Sequence, residues 1–339
     1  MWDLGRLSTV AELIRDHIYL ESIEEYCEKT GVRKEDFVPI EPQEFDGEIF
    51  AVDGSNAAVC NWSVANLNLI RAGFAVYRGR EWQRTTITYD DVFLADPRIC
   101  EDLFDPYLRR FFGLKGIDLK ESDLDRLSTY FRELQEYIAL NEAIAEARSG
   151  DIILYDGGFD VFEPLRSVLT VIFKRAEDKD VDLLAVSKSS ALFWGEGLTL
   201  PFLQHTSYAG GLFVPGIPWY LDLKDKKVEH GQGRWDGETY IARFAGGSER
   251  AFRVDAPSYV RERIGSALGK LVAYSCSSEC LGYPHALFRA HRDVRISAQE
   301  CDLLRLRLME MLGDMGMGQP QARILMQDFH DVLDMRPQL

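Results

Sequence analysis

The segment from 122 to 188 most narrows what this chain can fold into. An amphipathic stretch opening at Ser122, "LDRLSTYFRELQEYIALNEAIAEAR", closes on Ser149-Gly150 and passes directly into "DIILYD". A second helical pattern over 160–177 leads to "VDLLAVSK" at 181–188. Both strand candidates are short continuous apolar runs, the pattern of strands buried on both faces. The alternation of strand, helix and strand predicts an α/β sheet with helical crossovers.

The flanking regions fill in around that unit. Thr9-Val-Ala-Glu12 has the form of a capping box, and Leu13, Ile14, Ile18 and Leu20 continue a helical spacing to about residue 29. "VPIEPQEFDG" breaks that helix, and "EIFAVDGS" reads as a short buried strand. β-Branched and aromatic residues over 66–95 predict a hairpin turning at Arg78-Gly79-Arg80. Extended segments punctuated by glycine and aromatics over 203–256 predict more strands or a β-rich insertion, and from 257 the pattern returns to helices, one of them starting at Pro284. The expected organisation is a helical segment at 1–45, an α/β unit at 46–297 and a helical segment at 298–339. The apolar positions of the first helix and of "CDLLRLRLMEMLGDMGMG" are expected in the chain's own core, with a dimer or partner surface as their other use.

Charge and composition exclude some function classes. With 339 residues, a formal net charge of −16 and a pI near 4.9, the surface as a whole does not favour nucleic acid or anionic membrane. A nucleic-acid enzyme of this charge needs a local basic groove, or metal ions bridging its carboxylates to phosphate. No apolar run approaches the roughly 18 residues of a membrane span, and the acidic amphipathic start is not a signal peptide, so a cytoplasmic protein is expected. Six cysteines without a secretory signal read as free thiols. Cys276 and Cys280 in "CSSEC" could share a helix face, but no second Cys/His pair has metal-ligand spacing.

The chemistry points to aspartates at strand ends. Asp53 in "AVDGS" and Asp156 in "ILYDGG" each follow a buried run and precede a glycine, which lets a ligand or backbone approach closely. An Asp-Gly pair alone is a common turn. Two of them at the ends of neighbouring strands would set two carboxylates together, and a divalent cation is the usual remedy for their repulsion. The long helix offers a third carboxylate among Glu133, Glu136, Glu142 and Glu146, which periodicity does not separate. Lys188 ends the third apolar run on the same sheet edge, suited to orienting a phosphate. "CLGYPHALFRAHRDVRIS" carries His285 and His291 with Arg289, Arg292 and Arg295, the strongest local basic stretch in the chain and suited to a phosphate backbone. No Walker-type phosphate loop and no convincing nucleophile elbow is present.

In order and spacing, "AVDGS", a helix glutamate, "ILYDGG", "AVSKSS" and "GYPHALFRAH" resemble the NurA nuclease family over about 240 residues, from 51 to 291. The resemblance implies an RNase H-like mixed sheet flanked by helices. It further implies a manganese- or magnesium-dependent DNA nuclease of the 5′–3′ exonuclease and single-strand endonuclease type, acting by a two-metal mechanism. Such proteins act as homodimers with a HerA-type hexameric DNA-translocating ATPase, in DNA-end resection and repair or in phage defence. Carried over by motif, Asp53, Glu142, Asp156 and His291 are the implied metal ligands, with Glu136 in reserve to Glu142. Lys188 and Tyr283 complete the implied catalytic set, and Arg289, Arg292 and Arg295 join them as substrate-binding residues. One departure is visible: Gly158 stands where the family more often has serine, which removes any hydrogen bond from that hydroxyl. A degenerate relative, acting only as a scaffold for the ATPase and DNA ends, would lack one or more acidic positions; both aspartates are present.

Overall fold

The computed structural model describes residues 3–18, 22–61, 66–96, 98–120, 126–160, 163–190, 192–194, 200–228, 235 and 237–318. In chain order these form α1 (Leu4–Ile18), α2 (Ile23–Thr30), β1 (Val38–Pro39), β2 (Glu48–Asn61), β3 (Asn66–Arg78), β4 (Glu81–Ala95), α3 (Cys100–Tyr107) and α4 (Leu127–Glu146). There follow β5 (Ile152–Asp156), α5 (Arg166–Lys179), β6 (Asp182–Ser187), β7 (Phe193–Trp194), β8 (Leu200–Pro201), α6 (Phe202–Phe213), β9 (Trp219–Asp222), β10 (Glu238–Arg243) and β11 (Phe252–Ala256). The chain then turns helical with α7 (Ile264–Val272), α8 (His285–Val294) and α9 (Ala298–Asp314).

Nine strands make one mixed sheet in the order β1-β9-β10-β11-β6-β5-β2-β3-β4. β2, β3 and β4 form an antiparallel meander, while β2, β5 and β6 run parallel to one another. The crossover from β5 to β6 is α5, as the apolar runs predict. Strand β2 is longer than the short strand expected, because β3 pairs with it along its whole length. The segment at 203–256 supplies the further strands expected: after α6, β9, β10 and β11 extend the main sheet through antiparallel pairing of β11 with β6.

Strand alternation divides the core between the two faces of this sheet. Phe50, Val52, Phe74, Ile153, Tyr155 and Leu183 pack with Phe104, Phe131, Leu134, Ile138 and Leu169 of α3, α4 and α5. Ile49, Ala51, Tyr77, Leu154 and Val186 face Leu268, Leu271, Ala286 and Leu287 of α7 and α8. Two sharp turns set the strands: Gly150, at φ +86°, leads α4 into β5, and Gly79, at φ +58°, joins β3 to β4.

The chain ends depart from expectation. Helix α1 begins before Thr9, its first turn capped by Asp3, whose Oδ1 accepts from the Gly5 and Arg6 N–H groups at 3.0 and 3.2 Å. Thr9 lies inside the helix and donates to the Gly5 carbonyl, so the predicted capping box does not form. Leu4, Leu7, Val10, Leu13 and Ile14 are exposed, outside the chain's core. Helix α9 splits its apolar residues: Cys301, Leu304 and Leu308 pack on Val59 and Leu69, while Leu303, Leu306 and Met311 are exposed. The predicted C-terminal segment beyond 318 lies outside the described residues. No described helix is long and apolar enough to cross a membrane.

Helix α9 docks through a capping box. Ser297 Oγ accepts from the Glu300 N–H at 3.3 Å, and Glu300 reaches back to the Ser297 N–H at 2.8 Å and to Arg71 Nη2 at 2.8 Å. The Ser297 N–H, then Arg71, hold the Glu300 carboxyl down at about 2. A carboxyl depressed on folding stabilises above its unfolded pKa and loses that contribution as pH falls through its folded one. Glu300→Gln is therefore expected to cost under about 1 kcal/mol near neutral pH, since the pair is part exposed. Melting curves should show the gap between variant and wild type closing as pH falls from about 5 toward 2.

Candidate metal-binding active site

Alternation along three parallel strands assembles the site. Ile49 and Ala51 face α7 and α8, so Asp53 does too; Ile152 and Leu154 place Asp156 on that face, and Leu184 and Val186 carry Lys188 there. Val52 pairs with Tyr155, and Asp156 with Val186, so the aspartates lie side by side where β5 ends. Helix α8 crosses this face and delivers His291, whose Nδ1 lies 2.8 Å from Asp53 Oδ2. The other Asp53 oxygen accepts the Gly54 N–H at 2.8 Å. Lys188 Nζ is 2.7 Å from Asp156 Oδ2 and 5.4 Å from the Tyr283 ring centre.

Ligand atoms of Asp53, Asp156 and His291 all fall within 4.8 Å of one another. Burial, then repulsion from Asp53, push the Asp156 carboxyl up to about 6 against the pull of Lys188. The hydrogen bond to Asp53 raises the His291 pKa, and burial with the Asp156 charge raises the Tyr283 phenol well above its ordinary value. The buried Asp156 Oδ2 is held by Lys188, with the Tyr283 hydroxyl also drawing on this carboxyl. Two carboxylates and an imidazole with ligand atoms this close are a donor set that fits Mn²⁺ or Mg²⁺.

A further carboxylate, outside the group of ligand atoms within 4.8 Å, approaches Asp53 from the opposite face of the sheet. Glu136 is fully buried on α4, paired with Arg132 one turn earlier and accepting the Tyr155 hydroxyl at 2.9 Å. Burial first, with the Asp53 charge adding to it, pushes its carboxyl up to about 8 although Arg132 opposes the shift. It reaches the strand beneath Asp53 because Gly54 has no side chain: a Cβ there would lie 2.6 Å from Glu136 Oε1.

Glu142, the expected helix ligand, is not brought to this group. Its electrostatic neighbours are Glu146 and Arg110, and Glu146 pairs with Arg84. The reason is direction: α4 runs back along β5, so glutamates near the turn into β5 lie at the end away from Asp156. Six residues of helix separate Glu142 from Glu136 by roughly 9 Å.

The basic stretch on α8 divides. Arg292 and Arg295, the latter capping the helix one turn after His291, are exposed, and no described residue forms an ion pair with either. Arg289 is committed elsewhere, its Nε 2.6 Å from Asp293 Oδ2 and its guanidinium 4.2 Å above the Trp82 ring. Cys276 and Cys280 lie in the turns before α8, not on one helix face. At Gly158 a serine Cβ would meet Asp160 Oδ1 at 2.4 Å and Asp255 Oδ2 at 3.2 Å. Asp255 there accepts the Phe159 N–H at 3.0 Å and is held by Arg253, so a strand carboxylate braces the turn after Asp156. The sequence reading missed Arg132, Tyr155 and Trp82.

The fold is shared with a nuclease of known structure. The NurA nuclease from Sulfolobus solfataricus matches 92% of this chain and 93% of its own, with a TM-score of 0.52 at 15% sequence identity. Endonuclease V of Ciona intestinalis, in complex with DNA, matches 77% of this chain and 91% of its own at 12% identity, with a TM-score of 0.36. No family model and no curated protein matches the sequence. The chain has the NurA-like fold that its ordered motifs implied.

Proposed function

We propose that this chain is a divalent-metal-dependent DNA nuclease, a phosphodiester hydrolase centred on Asp53, Glu136, Asp156 and His291. The observation that carries this reading is the convergence of Asp53, Asp156 and His291 ligand atoms within 4.8 Å, at strand ends of a NurA-like sheet. Held by these residues, Mn²⁺ or Mg²⁺ would supply Lewis acidity toward the phosphodiester and lower the pKa of water so that hydroxide is available as nucleophile near neutral pH. Glu136 adds its carboxylate from below the sheet, with Arg132 balancing its buried charge. Lys188 neutralises Asp156 and meets a phosphate oxygen. The neutral Tyr283 phenol donates a hydrogen bond at the same place, and His291 keeps its orientation through Asp53 while holding metal or moving a proton. Arg292 and Arg295 steady the phosphate backbone beside it.

The same resemblance supports a finer assignment: 5′–3′ exonuclease and single-strand endonuclease action by two metal ions, in the cytoplasm, on DNA ends during resection and repair or phage defence. In this reading residues 46–297 are the catalytic unit. A homodimer working with a HerA-type ATPase needs contact surfaces, and the exposed apolar side chains of α1 and α9 supply candidates.

The test is incubation of end-labelled single- and double-stranded DNA with Mn²⁺, Mg²⁺ or EDTA, alongside Asp53→Ala and Asp156→Ala. Wild type is expected to cleave only with metal, and both variants to melt normally and leave the DNA intact. Cleavage retained in either variant removes that aspartate from the centre. DNA left intact by wild type under every metal, with or without the ATPase, favours the scaffold instead.

A further inference from the structure

Strand β4 contains a bulge that aims one aromatic side chain. Val76 of β3 pairs with Arg84, but the next residue, Tyr77, pairs with Trp82, leaving Gln83 as an extra residue. Opposed residues of an antiparallel pair share a face, so Trp82 joins Tyr77 on the side covered by α8. Plain alternation from Thr85, which holds Asp293 of α8 at 2.5 Å, would have turned Trp82 to the α4 side.

On the α8 side Trp82 meets a prepared partner. The Arg289 guanidinium lies 4.2 Å from its ring centre, fixed by Asp293, which Thr85 fixes in turn. Trp82 Nε1 donates to Thr85 Oγ1 at 3.1 Å, so the ring itself is oriented. Even so, 44% of Trp82 stays exposed. Arg80, two residues away in the β3–β4 turn, and Arg292, whose charge reaches Tyr77 opposite Trp82, are exposed, and neither is paired with a described acidic residue, in a chain of net charge −16. By register, Trp82 sits level with Ile49, four residues before Asp53 and two strands across. That is roughly 13 Å along the strands and 10 Å across them, within reach of a few nucleotides.

We infer that the Trp82–Arg289 stack is a base-stacking platform for single-stranded nucleic acid, which runs from the centre past Arg292 toward the β3–β4 turn. This rests on the nuclease reading for its substrate class. A single strand offers what the surface asks for, an unpaired π-face for the indole and phosphates for the arginines. An acidic peptide would meet only the second demand.

Binding, not cleavage, tests it. A fluorescein-labelled single-stranded oligonucleotide is titrated in EDTA at low ionic strength with wild type, Trp82→Ala and Trp82→Phe, then again with an abasic version of the strand. Trp82→Ala is expected to loosen the base-bearing strand roughly tenfold and Trp82→Phe much less, with little change for the abasic strand. Equal affinity of wild type for both strands, with Trp82→Ala altering neither, overturns the platform and leaves a polyanion track, as an acidic peptide would also occupy. That result leaves the nuclease reading standing, because Asp53→Ala tests it separately by metal-dependent cleavage. Absence of any binding by wild type overturns the platform as well.

Discussion

Glu136→Gln is expected to reduce metal-dependent DNA cleavage by at least about a hundredfold, the upper range for groups that merely support a metal ligand. Glu142→Gln should stay within a factor of about two, as expected of a substitution remote from the centre. The contrast follows from position. Glu136 is buried beneath Asp53 and shares its field, while Glu142 answers to Glu146 and Arg110. Gln is nearly the same shape as Glu, so Glu136→Gln should keep its packing against Tyr155 and fold normally. Cleavage rates at saturating Mn²⁺, with Mn²⁺ binding measured calorimetrically, check both variants. A Glu142→Gln enzyme as damaged as Glu136→Gln would return the helix ligand to position 142.

Gly54→Ala is expected to be the most damaging change of a single methyl group. The new Cβ would lie 2.6 Å from Glu136 Oε1 and 2.7 Å from its Cγ. Glu136 has no free volume to retreat into, since it is fully buried between Arg132 and Tyr155. Overpacking of this kind costs about 1–3 kcal/mol. Activity should fall as far as in Glu136→Gln, because the displaced carboxylate no longer sits under Asp53. Thermal melting and cleavage together measure this. Unchanged values in both would mean that Glu136 is free to move, contrary to its place in the packing.

Part of the helix assignment was recoverable from spacing. Asp156 lies four residues after Ile152, the first residue of β5, about 13 Å along the strand. An antiparallel helix covers the same distance in about nine residues, which counted back from Glu146 reaches the neighbourhood of Glu136. Nearness in sequence to the turn points the other way, toward Glu142, and it misleads because helix and strand run in opposite directions.

Other features left no trace in local pattern. Trp82 faces α8 only because of a bulge that depends on pairing between β3 and β4. Arg289 sits in the basic stretch by composition but is withdrawn from it by Asp293 and Trp82. The exposed side chains of α1 have the same amphipathic spacing as a core helix, since periodicity records that a face is apolar and not what covers it.

By itself the sequence determined the parallel strand pair and its crossover, the hairpin, and the order of the motifs that carry Asp53, Asp156, Lys188, Tyr283 and His291. These are local properties: apolar runs, turn residues and strand ends are written in consecutive side chains. Only the tertiary structure decided which glutamate lies beneath Asp53, which arginines remain free, and that the segment after α6 extends the main sheet. Those outcomes depend on strand register, helix direction and burial between elements far apart in the chain, and no single stretch of sequence encodes them.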